Sequence, residues 1–181
     1  NHPDVFIVSD ANEEHIKKLY NPVSMKIYSA DEIWKAVGNK RTKYIIHDWR
    51  AVPEKDVNLT WQNMMCEKLL SKHEKKYGKY DLVMVGRFDT KLVYVQTITK
   101  PEENILYVPY INACLMPPDS DGHHFDGISA HLCWGTSDTM HKLMNPYVHL
   151  DEYYKEADAW LAEKLLMWMC EKNGIKTKFV D

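Results

Sequence analysis

The sequence has no run approaching the ~18 consecutive apolar residues of a membrane-spanning helix. Its opening residues also lack the charged-then-apolar pattern of a secretory signal. We therefore expect no membrane span, with the cytoplasm as the default location. A Gly-rich phosphate loop, a Gly-x-Ser-x-Gly turn and closely spaced cysteine pairs are all missing, which argues against P-loop enzymes, serine hydrolases and zinc ribbons. The four cysteines, Cys66, Cys114, Cys133 and Cys170, are far apart in core-like strand or helix contexts, and we expect them to be reduced. Excess positive charge is lacking too. With 23 Lys and Arg against 26 Asp and Glu, the formal charge of -3 offers no overall field to concentrate nucleic acid, so no nucleic-acid partner is expected. The basic run from Lys72 to Lys79 reads as a solvated helix face.

What is present suits a folded core. At 181 residues and 45% hydrophobic, the chain is long enough to bury one substantial core, and we expect a single domain over residues 1–181. Its six Trp and eleven Tyr serve equally well as core or as stacking surfaces for a sugar. Asp4 to Val8 reads as a strand, followed by a helix start at Asp10 and Glu13, a break at Tyr20-Asn21-Pro22, and a second strand over Met25 to Tyr28. Ser29 and Glu32 form a capping-box signature for a helix that Gly38 closes. Tyr44 to Ile46 reads as a short strand and the polar, Pro53-containing segment to Asn58 as loop. Apolar residues recur at helical spacing from Trp61 to Tyr77, with Gly78 where a C-cap belongs. Leu82 to Val85 reads as a central strand covered on both faces. Further strands are expected over Leu92 to Val95, Ile105 to Val108 and Ala130 to Trp134, and a final helix carries Leu161, Leu165, Trp168 and Met169 to Asn173-Gly174. Together these predict an α/β layered domain, a mostly parallel central sheet flanked by helices, with ligands beyond the strand carboxyl ends.

Arg87-Phe88-Asp89 falls at such an end. Expelling a diphosphate requires charge compensation, by a cation held on carboxylates or by Arg and Lys. Asp89 can present oxygen to Mg²⁺ or Mn²⁺, and Arg87 can fork onto phosphate oxygens; an Arg-Asp surface pair is the plain alternative. His123-His124-Phe125-Asp126 brings metal-competent and basic side chains together before a strand, with Asp126 as a base or a grip on sugar hydroxyls. In Trp134-Gly135-Thr136-Ser137-Asp138, Trp134 can stack on a sugar and Gly135 can admit a substrate to the backbone, while Ser137 caps the following helix. Glu163 by itself reads as a solvent-facing or salt-bridged helix carboxylate.

The order of these motifs resembles the GT-A type glycosyltransferases of capsular-polysaccharide synthesis and of large DNA viruses, including algal viruses. The resemblance rests on Tyr80-Asp81-Leu82-Val83 leading into Arg87-Phe88-Asp89, then Leu106-Tyr107-Val108-Pro109, then Asp126 ahead of Trp134-Gly135-Thr136-Ser137-Asp138-Thr139-Met140. The closing Trp160 to Leu166 with Gly174-Ile175 looks like the family's terminal helix. It covers most of the chain after Trp61. It implies a GT-A-like, Rossmann-related fold and transfer of a hexose or pentose from a nucleotide-sugar donor to a glycan or glycoprotein acceptor, in viral capsid or cell-surface glycan assembly, and for a virus in the host cytoplasm. Arg-Phe-Asp would stand in place of the family's Asp-x-Asp motif, with Asp89 on Mn²⁺ or Mg²⁺ and Arg87 on the diphosphate. Asp126 and Glu163 become the candidate catalytic carboxylates, His123 and His124 further metal candidates, and Trp134, Gly135, Ser137 and Asp138 the substrate border. The chain departs from the family in that Asn1-His2-Pro3-Asp4 reads as entering one strand late, so the first strand is either missing from this chain or not recognisable in it. Gly86 is also unusual before the Arg. A metal-dependent hydrolase built on His123, His124 and Asp126, and a non-catalytic carbohydrate-binding domain, remain the other readings.

Overall fold

The computed structural model describes residues 3–10, 12–38, 53–87, 98, 100–109, 132–156 and 162–180. The chain is a mixed α/β protein whose described residues hold two sheets. It divides into two compact units, residues 1–78 with 144–150 and residues 79–143 with 151–181. The expected strands at Tyr44 to Ile46 and Leu92 to Val95 lie outside the described residues.

The first unit opens as a β-α-β element. Strand β1 (Phe6–Ser9) pairs in parallel with β2 (Ser24–Ile27), Phe6 opposite Ser24. Between them, α1 (Glu13–Tyr20) is capped by Asn12, whose side chain accepts from the His15 N–H at 3.0 Å. The cap is thus Asn12 rather than Asp10, because only a residue immediately before the first turn can reach its free N–H groups. Asn21 ends the helix in the left-handed region, φ 42°. Helix α2 (Ala30–Val37) has the full capping box expected of Ser29: the Ser29 N–H donates to Glu32 at 2.7 Å and the Glu32 N–H donates to Ser29 Oγ at 3.2 Å. Ser29→Ala is expected to lower stability by ~1 kcal/mol, read from the urea midpoint, because two end donors lose their partner geometry.

Helix α3 (Pro53–Tyr77) begins where a loop was expected. Proline's fixed φ and missing N–H suit a first helical turn, so Pro53 starts the helix instead of preventing it. Val57, Trp61, Met64 and Leu70 are buried along it. It runs antiparallel to β1: the Cys66 thiol meets the Val8 backbone, while His73 lies against the Phe6 ring at 5.3 Å. A 3₁₀ turn, Pro146–His149, packs on the same helix.

The second unit holds β3 (Val83–Gly86), β4 (Ile105–Pro109), β5 (Leu132–Gly135) and β6 (Lys176–Val180) in the order β3-β5-β4-β6. β4 and β6 are parallel, but β5 is antiparallel to both of its neighbours. This sheet is therefore mixed rather than mostly parallel, and β3 ends its order among the described residues rather than lying at its centre. An apolar run such as Leu82 to Val85 records burial but not the direction of a neighbour, so the sequence pattern could not distinguish the two arrangements. Tyr107, Leu132 and Trp134 form the core on one face, with Leu82, Met84, Ile105 and Val180 packed against them. Leu106, Val108 and Cys133, alternating with these, are buried on the other. Helices α4 (Ser137–Leu143), α5 (Leu150–Glu156) and α6 (Ala162–Lys172) complete the described residues.

Cys66, Cys133 and Cys170 are free thiols, as expected. Burial, with Cys170 as a neighbour, pushes Cys133 from 9.0 to about 12, and burial pushes Cys170 to about 12. The unfolded thiols ionise near pH 9, whereas the folded ones hold their protons until about pH 12. Their contribution is thus complete below pH 9 and is lost on going to higher pH, by up to ~1.4 kcal/mol per pH unit per thiol. Urea midpoints across this range should fall less steeply for Cys133→Ala than for the wild-type chain. Equal slopes would refute the burial of this thiol.

Candidate functional site

Strand direction decides which chain ends meet. In the second unit Gly86 lies opposite Leu132, Tyr107 opposite Trp134, and Pro109 beside Val180. One end of the sheet therefore gathers the finishes of β3, β4 and β6 with the start of β5. Arg87, exposed, is the first residue beyond β3 at that end.

Helix α6 returns along β6 to the same end. Gly174, at φ 63°, reverses the chain, the Ile175 N–H donates to Cys170 O at 2.8 Å, and the Cys170 thiol meets the Thr177 side chain. From this contact the helix rises ~10 Å back to Glu163, and the strand runs ~10 Å on to Val180. The backbone of Glu163 therefore reaches the level of the strand finishes.

Asp89, His123, His124 and Asp126 lie outside the described residues.

The Trp134-Gly135 turn belongs to the opposite end, where Gly135 faces Val83. Four residues of strand, ~13 Å, separate it from Arg87. The antiparallel pairing thus sets Trp134, Gly135, Ser137 and Asp138, the expected substrate border, at the opposite end of the strands from Arg87. Trp134 is 2% exposed and its ring stacks on Tyr107, centroids 5.9 Å apart and planes 12° apart, so it is a core residue and not a platform for a pyranose. Tyr107 in turn donates from its hydroxyl to Glu102 at 3.0 Å. A Cβ on Gly135 would lie 3.1 Å from Ile105 O and 3.2 Å from Thr139 Cγ2, so close packing of β4 and α4 explains the glycine without a substrate.

The polar groups of this turn are spent on the fold. Thr136, and not Ser137, caps α4, accepting from the Thr139 N–H at 3.3 Å, while Ser137 is buried in the first turn. Thr136 also donates to Glu103 at 3.1 Å, and the Asn104 N–H donates to Thr139 Oγ1 at 3.0 Å. Lys142 reaches Asn104 Oδ1 at 2.8 Å. Exposed Asp138 pairs with Lys79 at 2.5 Å, and that hydrogen bond holds its carboxyl below the usual range. The sequence signal for this network was the run of small polar residues, which suits a sugar site and a tied turn alike.

No group of three or more His, Cys, Asp or Glu side chains among the described residues is arranged to hold a metal ion. Among the same residues, no helix is long and apolar enough to cross a membrane. Compared with known protein families, curated proteins and solved structures, the chain matches none.

Proposed function

We propose that the chain is a GT-A-like glycosyltransferase that moves a hexose or pentose from a nucleotide-sugar donor to a glycan or glycoprotein acceptor, in the cytoplasm. The observation that supports this reading most is the shared end of the second unit's sheet. Arg87 and the level of the Glu163 backbone lie there. Catalytic groups carried just beyond strand ends are held by a rigid scaffold while remaining open to a substrate.

In this reading Arg87 grips the diphosphate by paired N–H donors, which suit two phosphate oxygens better than an ammonium does. Asp89 would hold Mn²⁺ or Mg²⁺, a hard cation matched to carboxylate oxygen, which would supply charge compensation for the leaving diphosphate. His123 and His124 are the remaining metal candidates. The acceptor oxygen bonds to the anomeric carbon as the bond from that carbon to the diphosphate oxygen breaks. Its proton passes to a carboxylate, Asp126 or Glu163.

A thermal-shift series with nucleoside diphosphates and nucleotide sugars, with and without Mn²⁺, tests this directly. A cognate donor at a hundred times its Kd stabilises the folded chain by about 2.7 kcal/mol. Unchanged melting with every donor would reject the reading.

A further inference from the structure

In the first unit, the carboxyl ends of α1 and α3 meet the amino ends of β1 and β2. The Val23 N–H donates to Val5 O at 2.9 Å, and Phe6 touches His73, which stacks on Tyr77 at 4.4 Å. At this end large apolar side chains stand in water: Leu19 is 59% exposed, Tyr20 39%, Val23 48% and Tyr77 64%. Isolated exposed apolar residues are ordinary, but several brought to one end by three different segments mark an interaction surface.

The lysines along the last turns of α3 are as unusual. Lys68, Lys72 and Lys76 follow one another at i,i+4 along the last turns of α3, with Lys75 beside them, and all four are exposed. None of the four is in an ion pair among the described residues. Lys76 lies over the Tyr77 ring, 4.7 Å from its centroid. The acids of this stretch, Glu67 and the buried Glu74, are two against these four lysines, so the stretch stays net positive. The helix dipole accounts for Lys75 and Lys76 in the last turn, but its effect fades before Lys72 and Lys68. Like charges at i,i+4 repel, a cost that an anionic surface removes. Lys18 adds to the same end beside Leu19.

From this combination we infer that the Leu19, Tyr20, Val23 and Tyr77 end of the first unit docks on an anionic lipid surface. The apolar and aromatic side chains enter the headgroup region, and the lysines meet the lipid phosphates and carboxylates. Charge complementarity would suit any polyanion; the exposed aliphatic Leu19 and Val23 favour lipid, because they gain nothing from a hydrated polymer. This docking is independent of the glycosyltransferase reading.

Sedimentation with vesicles of phosphatidylcholine, with and without phosphatidylserine, provides the test. Binding is expected only with phosphatidylserine, and it should weaken on adding salt. Lys72→Gln with Lys75→Gln and Lys76→Gln should reduce it by about fivefold per lysine. Leu19→Ser with Tyr77→Ser should reduce it by about tenfold with the charges intact. Circular-dichroism melting of each variant checks that these surface changes leave the fold in place, and Val23→Ser provides a separate one-residue version. No binding to either vesicle, or binding unchanged in folded variants, overturns the inference. Single-stranded RNA or heparin bound as tightly as the vesicles, and unaffected by Leu19→Ser with Tyr77→Ser, would overturn it in favour of a hydrated polyanion.

Discussion

Asp89→Asn is expected to reduce sugar transfer by roughly 100-fold, the scale of losing one group that stabilises charge in a transition state. The amide keeps the size and one oxygen of the carboxylate but loses the charge that a divalent cation requires. Donor binding should lose its dependence on Mn²⁺ while the melting temperature without ligand stays unchanged, which separates a site effect from a folding effect. Arg87→Lys makes a companion test. It keeps the positive charge and removes the planar fork, so it should weaken nucleoside diphosphate binding with or without metal. Full transfer activity in Asp89→Asn, with metal-dependent donor binding intact, would show that the Arg-Phe-Asp segment is an ordinary strand end.

Trp134→Ala should have the largest effect on stability, a loss of about 4 kcal/mol, because it empties the centre of the second unit's core. Trp134 is 2% exposed and stacks on Tyr107 between the strands that carry Met84 and Tyr107. Trp134→Phe retains an aromatic face against Tyr107 and should cost less than half as much. Among the described residues the buried Trp134 indole N–H has no hydrogen-bond partner, so exchange for phenylalanine gives up no polar contact there. Urea midpoints of the two variants check the order. If Trp134→Ala instead left stability unchanged and abolished glycan binding, the ring would be a sugar platform after all and its placement in the core would be wrong.

Much of the local structure was legible because it depends on neighbours in the chain. Ser29 and Glu32 are three residues apart, and that spacing alone brings both hydrogen bonds of the capping box within reach. Gly78 and Gly174 end helices at positive φ, 97° and 63°, which the absence of a side chain permits. Pro53 misled because a proline between polar residues reads as a loop, although the first turn of a helix tolerates it as well. Thr136 and Ser137 are both good caps, and only the position of the first helical turn decides between them.

The candidate site was legible in part. Arg87 at the end of an apolar strand was readable because such a run stops where burial stops. That the Trp134-Gly135 turn sits at the far end from Arg87 was not, since it follows from the antiparallel pairing of β3 with β5. Nor was the role of Gly135 readable, because the atoms that crowd it belong to Ile105 and Thr139, and Ile105 lies thirty residues away in the chain.

By itself, then, the sequence determined the place of most helices and strands though not every start, which residues are apolar enough to be buried, and which chemical groups the chain has to offer. Those properties arise from side-chain chemistry and from spacings of two to four residues. Only the tertiary structure decided strand direction and order, and with them that Arg87 and Glu163 share one end of a sheet while Trp134 and Asp138 are bound into the fold at the other. Hydrophobic burial is non-directional, so it drives the strands together without specifying which ends will meet.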